Sequence, residues 1–240
     1  MSLRIAITRA QPDAEETAAN VTARGGEAII APLLQIIPMA YDTNVEGAQA
    51  LVFTSAAGVR AFPDARRLHA MRVLTVGDAT AAAARAAGFD DVRSADGDAL
   101  ALAQLAVRTL DPNAGKLVHI RGTHVAGDIG SKLEAAGFTV DRRIAYTAAQ
   151  APALPEALKQ ELDVVLLYSA RAAEAFHSLG GTCGGRIAAC LSQGVADAAG
   201  SGWKALIVAA RPREDVLLDQ VFTGGAPRLA QALEPLLARA

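Results

Sequence analysis

The sequence predicts an α/β protein made of two similar small lobes with parallel sheets, one lobe inserted into the other and the two joined by a two-stranded connector. Three observations predict it. Short apolar runs alternate with amphipathic or Ala-rich stretches along the chain, the pattern of strands alternating with helices. The pattern occurs twice: Leu3–Leu34 resembles Leu117–Tyr146, and Leu51–Val107 resembles Val165–Val221. Both shorter repeats end in an extended segment, Pro32–Met39 and Ile144–Ala151, that leaves its own sheet; Pro32 and Pro38 argue against a central strand position for the first.

Leu3–Thr8 is a strand. Pro12–Arg24 follows as a helix, with Pro12 pre-set for the first turn and Gly25-Gly26 at the end. Glu27–Ile37 is a second strand and a candidate crossover. Leu51–Phe62, LVFTSAAGVRAF, reads as strand, polar turn and helix, with Thr54 and Ser55 in the turn. Arg72–Val76 is a strand whose turn, Gly77–Thr80, starts an Ala-rich helix that Gly88 terminates. Asp91–Ser94 is a short strand and Ala99–Leu110 an amphipathic helix ended by Asp-Pro-Asn. Lys116–Arg121 is a strand, Gly122–Gly127 its loop, Asp128–Ala136 a helix capped by Gly137, and Thr139–Tyr146 a strand. Thr147–Pro155 reads as a linker and Pro155–Leu162 as a helix. Val165–Phe176, VLLYSARAAEAF, then repeats the strand-turn-helix device, with Ser169 in the place of Ser55. After the loop Gly180–Gly185 come a strand at Arg186–Leu191, a helix at Gln193–Gly200, a strand at Lys204–Ala209 and a helix at Glu214–Val221. Pro227–Ala240 reads as a last, surface helix.

In chain order the units run short, long, short, long. Two consecutive domains of roughly 115 residues satisfy that order. The extended segments favour another division, in which residues 1–36 and 152–240 form one domain and residues 40–147 are inserted into it. The strands at about 32–39 and 144–151 then connect two lobes that face each other across a cleft and hinge about the connector. Periodicity alone does not choose between these divisions.

With 240 residues and 52% hydrophobic side chains the chain has enough to build cores. A net charge of −2 draws it neither to nucleic acid nor to an anionic membrane. Aromatic residues at 4% weigh against base-stacking platforms. The start, MSLRIAITR, lacks the features of a signal peptide, and no apolar run is long enough to span a bilayer. A cytoplasmic monomer is expected. Cys183 and Cys190 form no CxxC and read as ordinary thiols.

No GxGxxG follows a strand, which argues against a dinucleotide site. Gly122–Gly127 has the spacing of a phosphate loop, but Asp128-Ile129 stands where Lys and Ser or Thr are required. His119 lies mid-strand, and His69, His124 and His177 lack a second ligand at metal spacing, so structural or solvated roles are expected and no metal. Ser55 and Ser169 sit in no GxSxG and have no assignable His–Asp partner. As helix caps they stand beside free N–H groups that can also receive an anion. Arg9, Arg121, Arg171 and Arg211 fall just past strand ends, on the edge where open α/β sheets bind ligands. Tyr146, at the mouth of a connector strand, is a hydrogen-bonding bridge or an acid.

Ile7-Thr8-Arg9, Phe53-Thr54-Ser55, Val76–Ala81, Ile120-Arg121-Gly122, Gly137–Tyr146 and Tyr168-Ser169 with Phe176 together resemble the uroporphyrinogen-III synthase family, in the family's order and over nearly the whole chain. The resemblance implies the inserted two-lobe arrangement, no cofactor, and an active cleft. There hydroxymethylbilane is cyclised through a spiro-pyrrolenine intermediate, with inversion of the last ring and loss of water. It puts Thr54, Ser55, Thr80, Tyr146 and Ser169 at the cleft, with Arg9 and Arg121 as further ligands for the carboxylates of the bilane. Tyr146 is then the best candidate for a general acid, because a phenol is protonated at neutral pH. The chain departs from the family at Val195, where a Thr is usual. The rival expectations are a two-lobe sensor that binds a small anion without chemistry and, more remotely, a sugar-nucleotide enzyme with two facing α/β lobes.

Overall fold

The computed structural model describes residues 2–124 and 127–224. In chain order the elements are β1 (Arg4–Ile7), α1 (Asp13–Ala23), β2 (Glu27–Ile30), β3 (Leu34–Pro38), β4 (Ala48–Phe53), α2 (Ala56–Arg60), β5 (Val73–Thr75), α3 (Asp78–Ala87), β6 (Val92–Ser94) and α4 (Ala99–Thr109). They continue with β7 (Lys116–Gly122), α5 (Ile129–Ala135), β8 (Val140–Gln150), a 3-10 turn (Glu156–Lys159), β9 (Val164–Leu167), α6 (Ala170–Ser178), β10 (Ile187–Cys190), α7 (Gln193–Ala199), β11 (Ala205–Val208) and α8 (Glu214–Gly224). Contacts divide the chain into two compact units, Met1–Gln35 with Ala149–Ala240, and Ile36–Ala148.

The first unit holds a five-stranded sheet in the order β11-β10-β9-β1-β2, with every pairing parallel. The two-residue period of a strand decides which helices cover which side chains. Ile5, Ile7, Val164, Leu166 and Ala189 face α1 and α8, while Ala6, Val165, Leu167, Ala188 and Cys190 face α6 and α7. With both faces covered, β9 reads as the unbroken apolar run Val-Val-Leu-Leu, buried throughout.

The second unit holds a six-stranded sheet in the order β3-β8-β7-β4-β5-β6. From β8 to β6 the pairings are parallel. Strand β3 runs antiparallel to β8: Met39 N donates to Ala145 O and Ala151 N to Leu33 O. Leu51 and Phe53 pack with α2 and α3, and Ala50 and Val52 with α4 and α5. Phe53, Phe62 and Phe89 form a triangle with ring centroids 6.1–6.2 Å apart. Helix α3 ends where Gly88 takes φ +110, a left-handed conformation that glycine adopts without strain.

Leaving β3 aside, β8-β7-β4-β5-β6 corresponds strand for strand to β2-β1-β9-β10-β11. The α/β fold class with two similar parallel-sheet units is therefore the observed one, and the internal repeats of the sequence are its strand-helix units. Three expectations are corrected. The single strand at Glu27–Ile37 is two strands in two sheets, β2 and β3, because Pro32 interrupts the ladder between them. Of the two overlapping readings, an extended segment over Ile144–Ala151 and a linker over Thr147–Pro155, the second is corrected at its start, because β8 continues beside β3 to Gln150. The helix at Pro155–Leu162 is only a four-residue 3-10 turn, with Gln160 already extended after it. The helix expected at Pro227–Ala240 lies outside the described residues.

One ion-pair cluster ties β8 to its surroundings. Arg143, 7% exposed, donates to Asp141 Oδ2 at 2.7 Å and to Asp42 O, and Lys116 Nζ lies 3.0 Å from the same Asp141 oxygen. The bond from Arg143, followed by that from Lys116, holds the Asp141 carboxyl below its usual range. A depressed folded pKa stabilises the fold above the unfolded value of about 4 and loses that contribution as pH falls through the folded value. Asp141→Asn is expected to cost about 1–2 kcal/mol at pH 7, the carboxylate being partly exposed and its partner buried. The difference from the parent should shrink below about pH 4. Urea denaturation across pH 3–7 checks this, and a difference that does not vary with pH contradicts it.

Candidate active site

In an open parallel sheet, ligands collect where neighbouring strands send their connections in opposite directions, beyond the carboxyl ends. In the first unit β1 leads through α1 to β2 while β9 leads through α6 to β10, so the switch falls between Thr8-Arg9 and Tyr168-Ser169. In the second, β7 leads through α5 to β8 while β4 leads through α2 to β5, so the switch falls between Thr54-Ser55 and Arg121-Gly122-Thr123.

At the second unit's switch, Ser55 is the extended N-cap of α2, and its Oγ accepts from Gly58 N at 3.1 Å. The same oxygen lies 2.7 Å from the hydroxyl of Tyr146 on β8. The tyrosine is 8% exposed, and its carbonyl accepts from Thr123 N at 3.0 Å. Gly122 is what lets the ring lie there: a Cβ on it would come within 2.8 Å of the tyrosine Cε2 and Cζ atoms. Gly58 plays a similar part, since a Cβ would meet Ile120 O at 3.0 Å, and its absence allows α2 to start close against β7. Thr123 Oγ1 bonds Thr147 Oγ1 at 2.9 Å beside this pair.

The other residues singled out in this unit are spread along the same edge. Thr54 Oγ1 lies 3.5 Å from Nε2 of the buried His119. Arg121 folds back on its own loop, donating to Gly122 O and Thr123 O, and makes no salt bridge among the described residues. Thr80 is the third residue of α3 and only 6% exposed; Gly77, Asp78 and Ala79 are the more exposed groups at that helix start.

The first unit repeats the capping device, with Ser169 Oγ accepting from Ala172 N at 3.1 Å. Arg9 stands there as expected, but its charge is committed within the unit. It donates to Glu214 Oε2 at 2.7 Å, lies 3.4 Å from Asp13 and sits over the Tyr168 ring, 4.5 Å from its centroid. Thr17 and Asn20 also donate to Glu214, which pins the start of α8. Burial, and then the charge of Glu214, push the Tyr168 phenol pKa upward. Val195, read from the resemblance as a departure, packs in the apolar cluster under α6 and α7.

Sequence reasoning named Gly122 only as part of a motif and missed its place under the Tyr146 ring, along with Thr123, Glu214 and the contact of His119 with Thr54. Only the glycine had a local signal, at the end of an apolar strand run. Burial pushes the Cys190 thiol pKa up to about 11, away from reactive thiolate character. Among the described residues no three His, Cys, Asp or Glu side chains group as a metal site, and no helix is long and apolar enough to cross a membrane.

Comparison with known proteins places the chain. The fold is similar to the crystal structure of uroporphyrinogen-III synthetase from Helicobacter pylori 26695, at 11% identity over 92% of this chain and 99% of that one, with a TM-score of 0.64. It is also similar to a mutant uroporphyrinogen III synthase from the extremely thermophilic bacterium Thermus thermophilus, at 18% identity over 96% of this chain and 100% of that one, with a TM-score of 0.55. No curated protein matches by sequence. Residues 15–219 match the HEM4 family, described as uroporphyrinogen-III synthase HemD. With most of its length so matched, the chain belongs to the HEM4 uroporphyrinogen-III synthase family.

Proposed function

We propose that Tyr146 is the general acid of this enzyme. In the same reading Thr54, Ser55, Thr80 and Arg121 of one unit, with Arg9 and Ser169 of the other, bind the substrate. The activity is that of the family, a cyclising lyase reaction of tetrapyrrole biosynthesis in which hydroxymethylbilane closes to uroporphyrinogen III. One ring is inverted and the substrate's hydroxyl leaves as water. The observation that carries the assignment is the 2.7 Å contact of Ser55 Oγ with the Tyr146 hydroxyl at a sheet switch point.

The chemistry follows from the donors around that contact. Loss of the substrate hydroxyl needs a proton, and Tyr146 has one to give. Ser55 Oγ already accepts from Gly58 N, so its own O–H is free to turn to the tyrosine oxygen. A phenolate left after proton transfer is thus met at once by a donor, and the resting phenol by an acceptor. The substrate carboxylates find amide groups at helix starts together with the cations of Arg121 and Arg9. Arg9 is the weaker of the two, since Glu214 and Asp13 already share its charge. Orientation does much of the work, because the bilane also closes unaided, to the wrong isomer. In this reading the chain acts as a cytoplasmic monomer.

Among the described residues neither serine has a base placed to activate it, so in this reading both act by binding. Ser55→Ala and Ser169→Ala are each expected to lower kcat/KM about tenfold, the worth of one lost hydrogen bond, with about 1 kcal/mol of stability lost with the cap. Steady-state assays and intact mass during turnover check this. A covalent adduct on either serine, or unchanged activity in both variants, overturns the binding role.

A further inference from the structure

His119 stands in the middle of β7, 1% exposed, opposite Val52 of β4 in the parallel register. Thr54, two residues beyond Val52, lies toward the same face of the sheet. The imidazole Nε2 is 3.5 Å from Thr54 Oγ1, while Nδ1 is buried without a hydrogen-bond partner. A leucine would fill this place in a covered strand without orphaning a ring nitrogen, so packing does not explain the histidine.

A neutral imidazole carries one N–H and one bare acceptor. A buried N–H with no acceptor is the costlier orphan, so the proton belongs on Nε2, where Thr54 Oγ1 can receive it. Burial, then Arg121 and Arg142, keep the ring neutral by lowering its pKa to about 4, against a smaller opposing effect of Asp128. Once its oxygen accepts from the ring, Thr54 keeps its own O–H as the group it can offer outward. Carboxylates accept and do not donate.

We infer that His119 is a positioning residue: donating from Nε2, it fixes the Thr54 hydroxyl as a donor for a carboxylate of the substrate. The inference rests on the reading of Thr54 as a substrate contact. It selects against ligands that present a donor at that point, and it gives a mid-strand histidine a part in specificity without contact with the substrate.

The test combines a spectrum of the unmodified protein with a mutant cycle. A long-range 1H–15N correlation at neutral pH should show His119 protonated on Nε2 and bare at Nδ1. Thr54→Val should raise KM for hydroxymethylbilane about tenfold with kcat nearly unchanged, as loss of one hydrogen bond to a charged group does. His119→Leu should reproduce that rise, and the double variant should be no worse than either single one. His119→Gln, whose amide can donate from nearly the same place, should restore most of the affinity. A folded His119→Leu with wild-type KM, additive effects, or a proton on Nδ1 overturns the inference while leaving Thr54 as a contact. An unchanged KM in Thr54→Val instead removes the reading on which it rests. Should His119→Leu not fold, the spectrum and His119→Gln decide.

Discussion

Tyr146→Phe is expected to lower kcat about a hundredfold while leaving the fold intact. General acid catalysis is worth roughly 10²–10⁴-fold, and the ease with which the bilane loses water unaided puts this case at the lower end. The phenyl ring still fills the space over Gly122, and Ser55 still caps α2 through Gly58 N, so only the bond between Ser55 and the phenol is lost. That costs about 1 kcal/mol of stability. Single-turnover rates with bilane, read beside urea denaturation and product binding, separate the two effects. A folded variant that binds product normally and turns over at the wild-type rate makes Tyr146 a structural residue and leaves water or the substrate as the acid.

Phe53→Ala should produce the largest loss of stability, about 3–5 kcal/mol. Phe53 is fully buried at the end of β4 and anchors the aromatic triangle with Phe62 and Phe89. Its removal leaves a cavity between the sheet and α2 at the residue next to Thr54 and Ser55, so activity should fall along with stability. Far-UV circular dichroism through a urea titration measures the effect. The single tryptophan, Trp203, packs against Phe176 in the other unit and is the wrong reporter. A loss below about 1 kcal/mol would mean that the triangle is not what holds this core.

Particular elements show how far the residues alone disclose the structure. Apolar runs such as Val164–Leu167 and Leu51–Phe53 need only local patterning to be read as covered strands, and the repeats show that the two units are alike, though not the order of their strands. Ser55 and Ser169 are likewise legible, because an N-cap bonds an amide three residues away. The continuation of β8 through Thr147–Gln150 is legible only as one of two readings, the extended segment Ile144–Ala151 and a linker from Thr147, because those residues have little strand character of their own and their partner β3 lies about 110 positions earlier. The same distance problem hides the chemistry: Ser55 meets Tyr146 across 91 positions, and Arg9 meets Glu214 across 205. His119 looks like an ordinary core residue until the register of β4 on β7 places Thr54 above it.

The most direct test of the whole account is to give the purified protein hydroxymethylbilane and identify the isomer that forms, beside a control without protein. Uroporphyrinogen III from the complete reaction, against the non-inverted isomer in the control, is the expected result. The same non-inverted isomer in both tubes, from a folded protein that binds the bilane, would contradict it.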